Sequence, residues 1–276
     1  MKKIIMLMLI SLNLFSQDVS WKPSEATVAR FQLFHSTCAL NQPTAETIKQ
    51  GDLLYGIEHR FNLPVTSGVD NLFGLDGGST IRMHLGYAFT DNLLVDLART
   101  NRMANYELNI KQRLFEFNDE NFPVIVAGNV GIAYNTKGVP EALGSGRKVQ
   151  PFASLIVNTI IAKKIGLGIV PTYLSNTNIN DARYTESKNS FTVGLYAQYF
   201  INDNWAIILE GTPTVTGWRD TYNSYAFGAE FETGGHFFKF IFGNNTAINL
   251  SQYNLGSAQK FGLQNLYFGF QITRDL

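Results

Sequence analysis

Residues 80–89 read Thr80-Ile-Arg-Met-His-Leu-Gly-Tyr-Ala-Phe89. Ile81, Met83, Leu85, Tyr87 and Phe89 recur at every second position and are all apolar, whereas Thr80, Arg82, His84, Gly86 and Ala88 occupy the alternate positions. Side chains of a β-strand point alternately to two faces, so this run is a strand with one wholly apolar face and one polar or small face. The surrounding stretch Gly51 to Thr100 holds two more such runs, Asp52 to Asn62 and Asn92 to Thr100. The glycine-rich segment Asn71-Leu-Phe-Gly-Leu-Asp-Gly-Gly78 separates the first two.

Working outward, the same alternation predicts about twelve strands. Their cores are 52–62, 80–89, 92–100, 104–116, 123–135, 151–162, 165–174, 190–200, 204–212, 224–232, 236–244 and 263–273. In 104–116, Tyr106, Leu108, Ile110 and Leu114 oppose Asn105, Glu107, Asn109, Lys111 and Arg113. In 263–273, Leu266, Phe268, Phe270 and Ile272 oppose Asn265, Tyr267, Gln271 and Thr273.

The connections carry an independent pattern. Every second one is tight (90–92, 118–122, 163–164, 201–203, 233–235), and the others are long (63–79, 136–150, 175–189, 213–223, 245–262) except 101–103. Transmembrane barrels have short periplasmic turns and longer outer loops. An open sheet edge in hydrocarbon leaves backbone groups unpaired at several kcal/mol each, so the sheet must close. The fold expected is therefore all-β, a transmembrane antiparallel up-and-down β-barrel with both chain ends on the periplasmic side. A soluble sandwich or lipocalin-like barrel also alternates its faces, with the apolar face inward. Strand number, the short-long alternation and aromatics at the tight turns (Tyr87, Phe89, Phe117, Tyr199, Phe200, Trp205) favour the membrane.

The chain starts Met1-Lys-Lys, continues apolar from Ile4 to Phe15 and turns polar at Ser16-Gln-Asp-Val-Ser20. An apolar core shorter than the ~20 residues of a spanning helix reads as a secretory signal peptide, expected over residues 1–17. Residues 18–50, with Pro23, Pro43 and irregular patterning, are expected to be a periplasmic or plug-like lead-in to the barrel at 51–276. The 22 basic and 22 acidic residues cancel, which argues against a nucleic-acid partner. Cys38, the only cysteine, has no partner for an internal disulfide and lies too far from the leader for lipidation.

The segments Gly51-Asp-Leu-Leu-Tyr-Gly-Ile-Glu-His-Arg-Phe61, Leu72-Phe-Gly-Leu-Asp-Gly-Gly-Ser-Thr-Ile-Arg82 and Thr90-Asp-Asn-Leu93 resemble a family of Gram-negative outer-membrane β-barrels catalogued as a domain of unknown function. The resemblance runs from about Thr44 to the C-terminus, is densest before Tyr134, and is marked by His59-Arg60-Phe61 and the loop at 73–77. It implies a barrel in the cell envelope. It transfers no catalytic or binding residue. Many such barrels finish on an aromatic residue, whereas this chain finishes Ile272-Thr-Arg-Asp-Leu276, which weakens the assembly signal.

The inward face is expected to hold Glu58, Arg60, Arg82, His84, Asp96, Glu107, Lys111, Arg113, Glu210 and Glu230. Such charges either line a pore that selects a polar solute or pair with one another and brace the wall. Mixed signs favour bracing. A turn centred on Asp91 sets Gly86 opposite Asp96 and His84 diagonal to it. A histidine beside a carboxylate suits a general base, yet no inward serine has the sequence context of a nucleophile, so a wall pair is the simpler account. His35 and His236 stand alone, no metal-ligand spacing occurs, and Asp70 and Asp76 lack the order of a calcium loop. Gly166-Leu-Gly168 is a strand with small inward residues, because no helix follows it as a phosphate loop requires. Neither a metal nor a cofactor is expected.

The function expected is a non-enzymatic outer-membrane barrel that passes or binds a small polar solute, with envelope lipid and the barrel-assembly machinery as partners. The alternatives are a barrel enzyme acting on lipid or envelope substrates, and a scaffold presenting loops 136–150 and 175–189.

Overall fold

A computed structural model describes residues 31–141, 144–179, 181 and 186–276. The leader at 1–17 and residues 18–30 lie outside the described residues. The strands are β1 (Leu53–Pro64), β2 (Ser79–Thr90), β3 (Leu93–Thr100), β4 (Asn105–Phe117), β5 (Val124–Asn135), β6 (Val149–Ile161) and β7 (Ile165–Leu174). They continue with β8 (Ser190–Phe200), β9 (Trp205–Thr212), β10 (Thr214–Gly217), β11 (Ser224–Thr233), β12 (His236–Gly243) and β13 (Tyr267–Asp275).

Each strand from β1 to β8 pairs antiparallel with the next, β13 pairs with both β1 and β12, and β11 bridges β12 to β9. Pairing of β8 with β9 closes the ring. β9 and β10 form one wall strand broken at Pro213, which has no N–H for the ladder but whose carbonyl accepts from Val193 N at 3.0 Å. The barrel therefore has twelve strands, and the ninth extends five residues beyond its predicted end at 212. The last strand starts at Tyr267 rather than 263, because Leu263–Asn265 form a 3-10 turn and Leu266 is buried.

The tight connections cluster at one end and the long ones at the other. Between β11 and β12 the turn is Gly234-Gly235, at φ 56° and 84°, the positive values a two-residue hairpin turn needs. In the turn after β4, the Asp119 carboxylate accepts backbone N–H groups of Asn121 and Phe122 at 2.9 and 3.0 Å, which holds its pKa below the usual carboxylate range.

The two wall faces settle the choice between a soluble and a membrane barrel. Apolar side chains point outward all round: Met83, Leu97, Leu108, Val130 and Leu209 are among those exposed, Leu209 by 59%. The inward positions are largely polar or charged and buried. A soluble protein does not expose a continuous apolar belt, whereas hydrocarbon solvates one. Tyr87 stacks edge-on to Phe89 at 4.9 Å and Trp205 lies 4.6 Å from Phe231, both at the turn end. Phe200 departs from the predicted aromatic girdle. It shares the inward parity of Tyr196 and Gln198 and packs on Phe34 and His35, at 6.3 and 4.8 Å.

Candidate functional site: the occupied lumen

Gln32 to Leu276 form one unit. Residues 32–50 lie against the inward side chains of the wall and are mostly buried. Thr44 N donates to Thr37 O and Ala39 N to Gln42 O, so the chain doubles back at Cys38–Pro43 as a small hairpin.

Wall charges hold this hairpin mainly by its backbone. The Glu210 carboxylate accepts N–H groups from Leu40, Asn41 and Gln42 at 3.1, 2.9 and 3.0 Å, and the Asn41 side-chain amide at 2.9 Å. Lys111 Nζ donates to the carbonyls of Thr37 and Thr44 at 2.9 and 3.0 Å. Lys239 Nζ donates to Ser36 Oγ and Ala39 O and sits 3.1 Å from Glu230, its neighbour across β11 and β12. Glu230 also accepts from Ser36 Oγ at 2.9 Å and Gln198 Nε2 at 2.9 Å, and lies 3.2 Å from His35 Nδ1. His35 is therefore not isolated, as its sequence position suggests. Arg113 pairs with Glu46 and donates to Ala45 O at 3.1 Å and Glu116 at 2.8 Å. Arg60 reaches Asn41 Oδ1 at 3.0 Å. Most of these bonds cross from the barrel wall to residues 32–50, while Lys239–Glu230, Gln198–Glu230 and Arg113–Glu116 stay within the wall.

Close packing needs space as well as charge. A Cβ on Gly168 would fall 2.0 Å from the Tyr196 ring, on Gly166 2.8 Å from Phe34, and on Gly194 2.7 Å from Gln42. The small inward residues of β7 and β8 are thus the bed of the luminal segment. Tyr196 OH donates to Pro43 O at 3.1 Å and accepts from Asn158 Nδ2 at 2.7 Å. Gly168→Ala is expected to displace that ring and destabilise the barrel by about 1–3 kcal/mol, the usual penalty for overpacking. An unchanged urea midpoint in micelles would contradict the packing described.

A second group of charges pairs within the wall. Glu58 and Arg82 face each other across β1 and β2 and are in contact, Arg82 reaches Asp96 at 3.2 Å, and Glu58 lies 3.9 Å from Arg60. Gly86 pairs with Asp96, as the turn register predicts, and His84 Nδ1 sits on the diagonal 2.7 Å from Asp96. His84 Nε2 lies over Gly56 and has no hydrogen-bond partner among the described residues. Among the described residues no hydroxyl meets it there, so they supply no serine partner to this pair.

The loop after β12 enters the lumen from the opposite end. The single helical turn Leu250–Tyr253 presents the N–H groups of Leu250 and Ser251 to Glu107, at 3.1 and 2.8 Å. Asn249 Oδ1 accepts from Arg82 Nε at 2.9 Å. Leu250 packs with Phe152 and Leu174. Glu107 and Arg113, both on β4, therefore bind inserted chain rather than neighbouring strands. Between the two insertions remains a cavity of about 90 Å³, bordered by Glu58, Arg82, His84, Asp96, Glu107 and Lys111. Among the described residues no group of three or more His, Cys, Asp or Glu is placed to hold a metal ion.

Sequence periodicity missed Lys239 and Glu46. Lys239 was legible from parity, since it alternates with Phe238 and Phe240 as Arg82 does with Met83. Glu46 carries no such signal.

A closed twelve-strand sheet, apolar outside and charged within, defines a membrane-spanning β-barrel. The chain belongs to the family described as membrane bound beta barrel domain (DUF5777), whose model matches residues 34–276. The matched range begins at Phe34, so the luminal hairpin is part of the family domain. No curated protein matches the chain. Among solved structures it is similar to KdgM porin, at 6% identity and TM-score 0.46 over 82% of this chain and 99% of that one. It is also similar to an outer membrane channel from Pseudomonas putida F1, at 11% identity and TM-score 0.48 over 84% and 98%. A third is outer membrane phospholipase A from Escherichia coli, at 11% identity and TM-score 0.44 over 82% and 90%.

Proposed function

We propose that the protein is a non-enzymatic barrel of the outer membrane, exported by its N-terminal leader, that passes or holds a small polar solute in a lumen closed by its own residues 32–50. The observation that carries this is the way the hairpin is held. Glu210, Lys111 and Lys239 bind its backbone through hydrogen bonds. Movement of the hairpin out of the lumen releases Glu210 and Glu230 together with Arg60, Lys111, Arg113 and Lys239, a wall of both signs that water can solvate. An apolar plug in an apolar bore has no such second state. Envelope lipid and the barrel-assembly machinery are the partners this placement requires.

Planar-bilayer recording tests it. Wild-type protein is expected to stay mostly closed, and Glu210→Gln or Lys111→Met to open more often, with faster reaction of Cys38, the sole thiol, toward a water-soluble reagent. Steady open conductance in the wild type, or a reactive Cys38 without current in the variants, would reject the reading.

Topology follows from the alternation of connections. On a Cys38→Ser background, cysteines replacing the exposed Lys137, Glu186 or Lys260 are expected to label from outside intact cells, whereas those replacing Asp91, Lys163 or Asp203 are not. Residues 245–255 are mostly buried in the lumen and are excluded from the labelling set. Labelling at Asp203 without labelling at Glu186 inverts the model.

A further inference from the structure

On the outer wall, most lipid-facing side chains are large, and a depression lies where β8 meets β9. Ala197 and Gly211 are small there, and a groove of about 740 Å³ runs over them. Leu195 and Leu209 rise on its sides, while Tyr225, Phe227 and Phe261 form its far wall. Gly211 keeps that shape open, since a Cβ on it would lie 3.0 Å from the Tyr225 ring.

The groove continues at the loop end into a second recess of about 300 Å³ that shares Tyr225 and Phe261 with it and adds Arg219, Tyr222, Asn223 and Lys260. This recess is fixed in place. Tyr222 and Ser257 exchange backbone hydrogen bonds at 2.8 and 2.7 Å, tying the two loops together. Arg219 Nη1 donates to Asn223 Oδ1 at 2.8 Å, and the arginine stem lies over Gly256, where a Cβ would come within 2.9 Å. The backbone around Lys260 is held by Asn244, which donates to Gln259 O at 2.7 Å, and by Asn265, which donates to Lys260 O at 3.0 Å. Neither Arg219 nor Lys260 has an ion-pair partner among the described residues.

An apolar channel on the hydrocarbon face that ends, just past a layer of aromatic rings, at two cationic residues on tethered loops matches one amphiphile. Interfacial aromatics mark the headgroup level of a membrane, so cations immediately beyond them stand where lipid phosphates lie. We propose that the outer wall carries a site for one phosphate-bearing, acylated membrane lipid, its chain in the groove over Ala197 and Gly211 and its phosphate between Arg219 and Lys260. The inference rests on the membrane placement proposed above and adds to it a specific ligand class on the face away from the lumen.

Native mass spectrometry of the full chain released from nanodiscs of phosphatidylcholine and phosphatidylglycerol tests it. The wild type is expected to retain one phosphatidylglycerol in preference to phosphatidylcholine. Ala197→Phe fills the groove floor with an apolar ring and is expected to abolish retention at unchanged far-UV circular dichroism. Arg219→Gln with Lys260→Gln, both in exposed loops, is expected to keep a bound lipid while its anionic preference falls roughly thirtyfold, each cation near an anionic surface contributing a factor of about five. Release without lipid, equal retention by Ala197→Phe, an unchanged preference in the double variant, or displacement by inorganic phosphate would each overturn the proposal. Both nanodisc leaflets have the same composition, so failure here is independent of which way the barrel faces in cells, which the surface labelling decides.

Discussion

Arg113→Ala is expected to lower the stability of the barrel by about 3–5 kcal/mol, the range for removing one partner of a fully buried ion pair. Arg113 and Glu46 are each only 1% exposed, and the guanidinium also donates to Ala45 O. Without it, the Glu46 carboxylate stays buried, still accepting the N–H groups of Leu33 and Phe34 at 2.8 and 3.1 Å but with the guanidinium opposite it removed. The other arm of Arg113 reaches Glu116, which is 36% exposed and contributes little, so Glu116→Gln is expected to be nearly neutral. Replacing both members by apolar residues, Arg113→Met with Glu46→Met, should recover most of the loss, since a buried pair removed as a unit costs little. Denaturant unfolding in micelles measures all three variants. A water-filled pore predicts the reverse: Arg113→Ala would leave the unfolding midpoint unchanged and shift the cation/anion preference in planar bilayers.

The second large effect concerns the opposite face of the same strand. Leu108→Arg places a charge at a lipid-facing position flanked by Leu97 and Ile132, and is expected to cost ~2–4 kcal/mol on folding into bilayers. From parity alone, Asn129→Arg would be milder because its side chain points away from lipid. The structure removes that contrast. Asn129 is 3% exposed, donates to Asn109 Oδ1 at 3.3 Å and borders the 90 Å³ cavity, which has no room for an extended arginine. Asn129→Arg is therefore expected to cost about 1–3 kcal/mol by overpacking, in bilayers and micelles alike. The Leu108→Arg penalty arises from hydrocarbon and is expected to grow with bilayer thickness. Equal behaviour of the two variants in thin and thick bilayers would contradict the assignment of faces.

Much of the wall was legible because the information is local. Alternation of side chains along a strand is a property of the strand itself, so Thr80 to Phe89 shows its two faces without knowledge of its neighbours. A tight turn likewise fixes the register of the two strands it joins, which is why the pairing of Gly86 with Asp96 and the diagonal approach of His84 follow from Asp91 alone. Where local signals conflicted, prediction slipped. Pro213 looks like a strand end but lies within the wall, just before a register shift between Thr214 and Thr216, and Phe200 is aromatic near a turn but has inward parity.

The sequence by itself determined the strands, their faces, the sites of the tight turns and the residues that the lumen receives. Only the tertiary structure decided what those residues do. Glu46 meets Arg113 across 67 positions, Glu210 meets Leu40 to Gln42 across about 170, and Glu107 meets Leu250 and Ser251 across more than 140. No period links such partners. The groups that Glu210, Glu107, Lys111 and Lys239 bind are largely backbone N–H and C=O, which nearly every residue carries, so side-chain identity does not encode which stretch of chain will fill the barrel. The charges of the wall are written in the sequence, but their counterparts are set by where the closed sheet leaves space for the chain to enter.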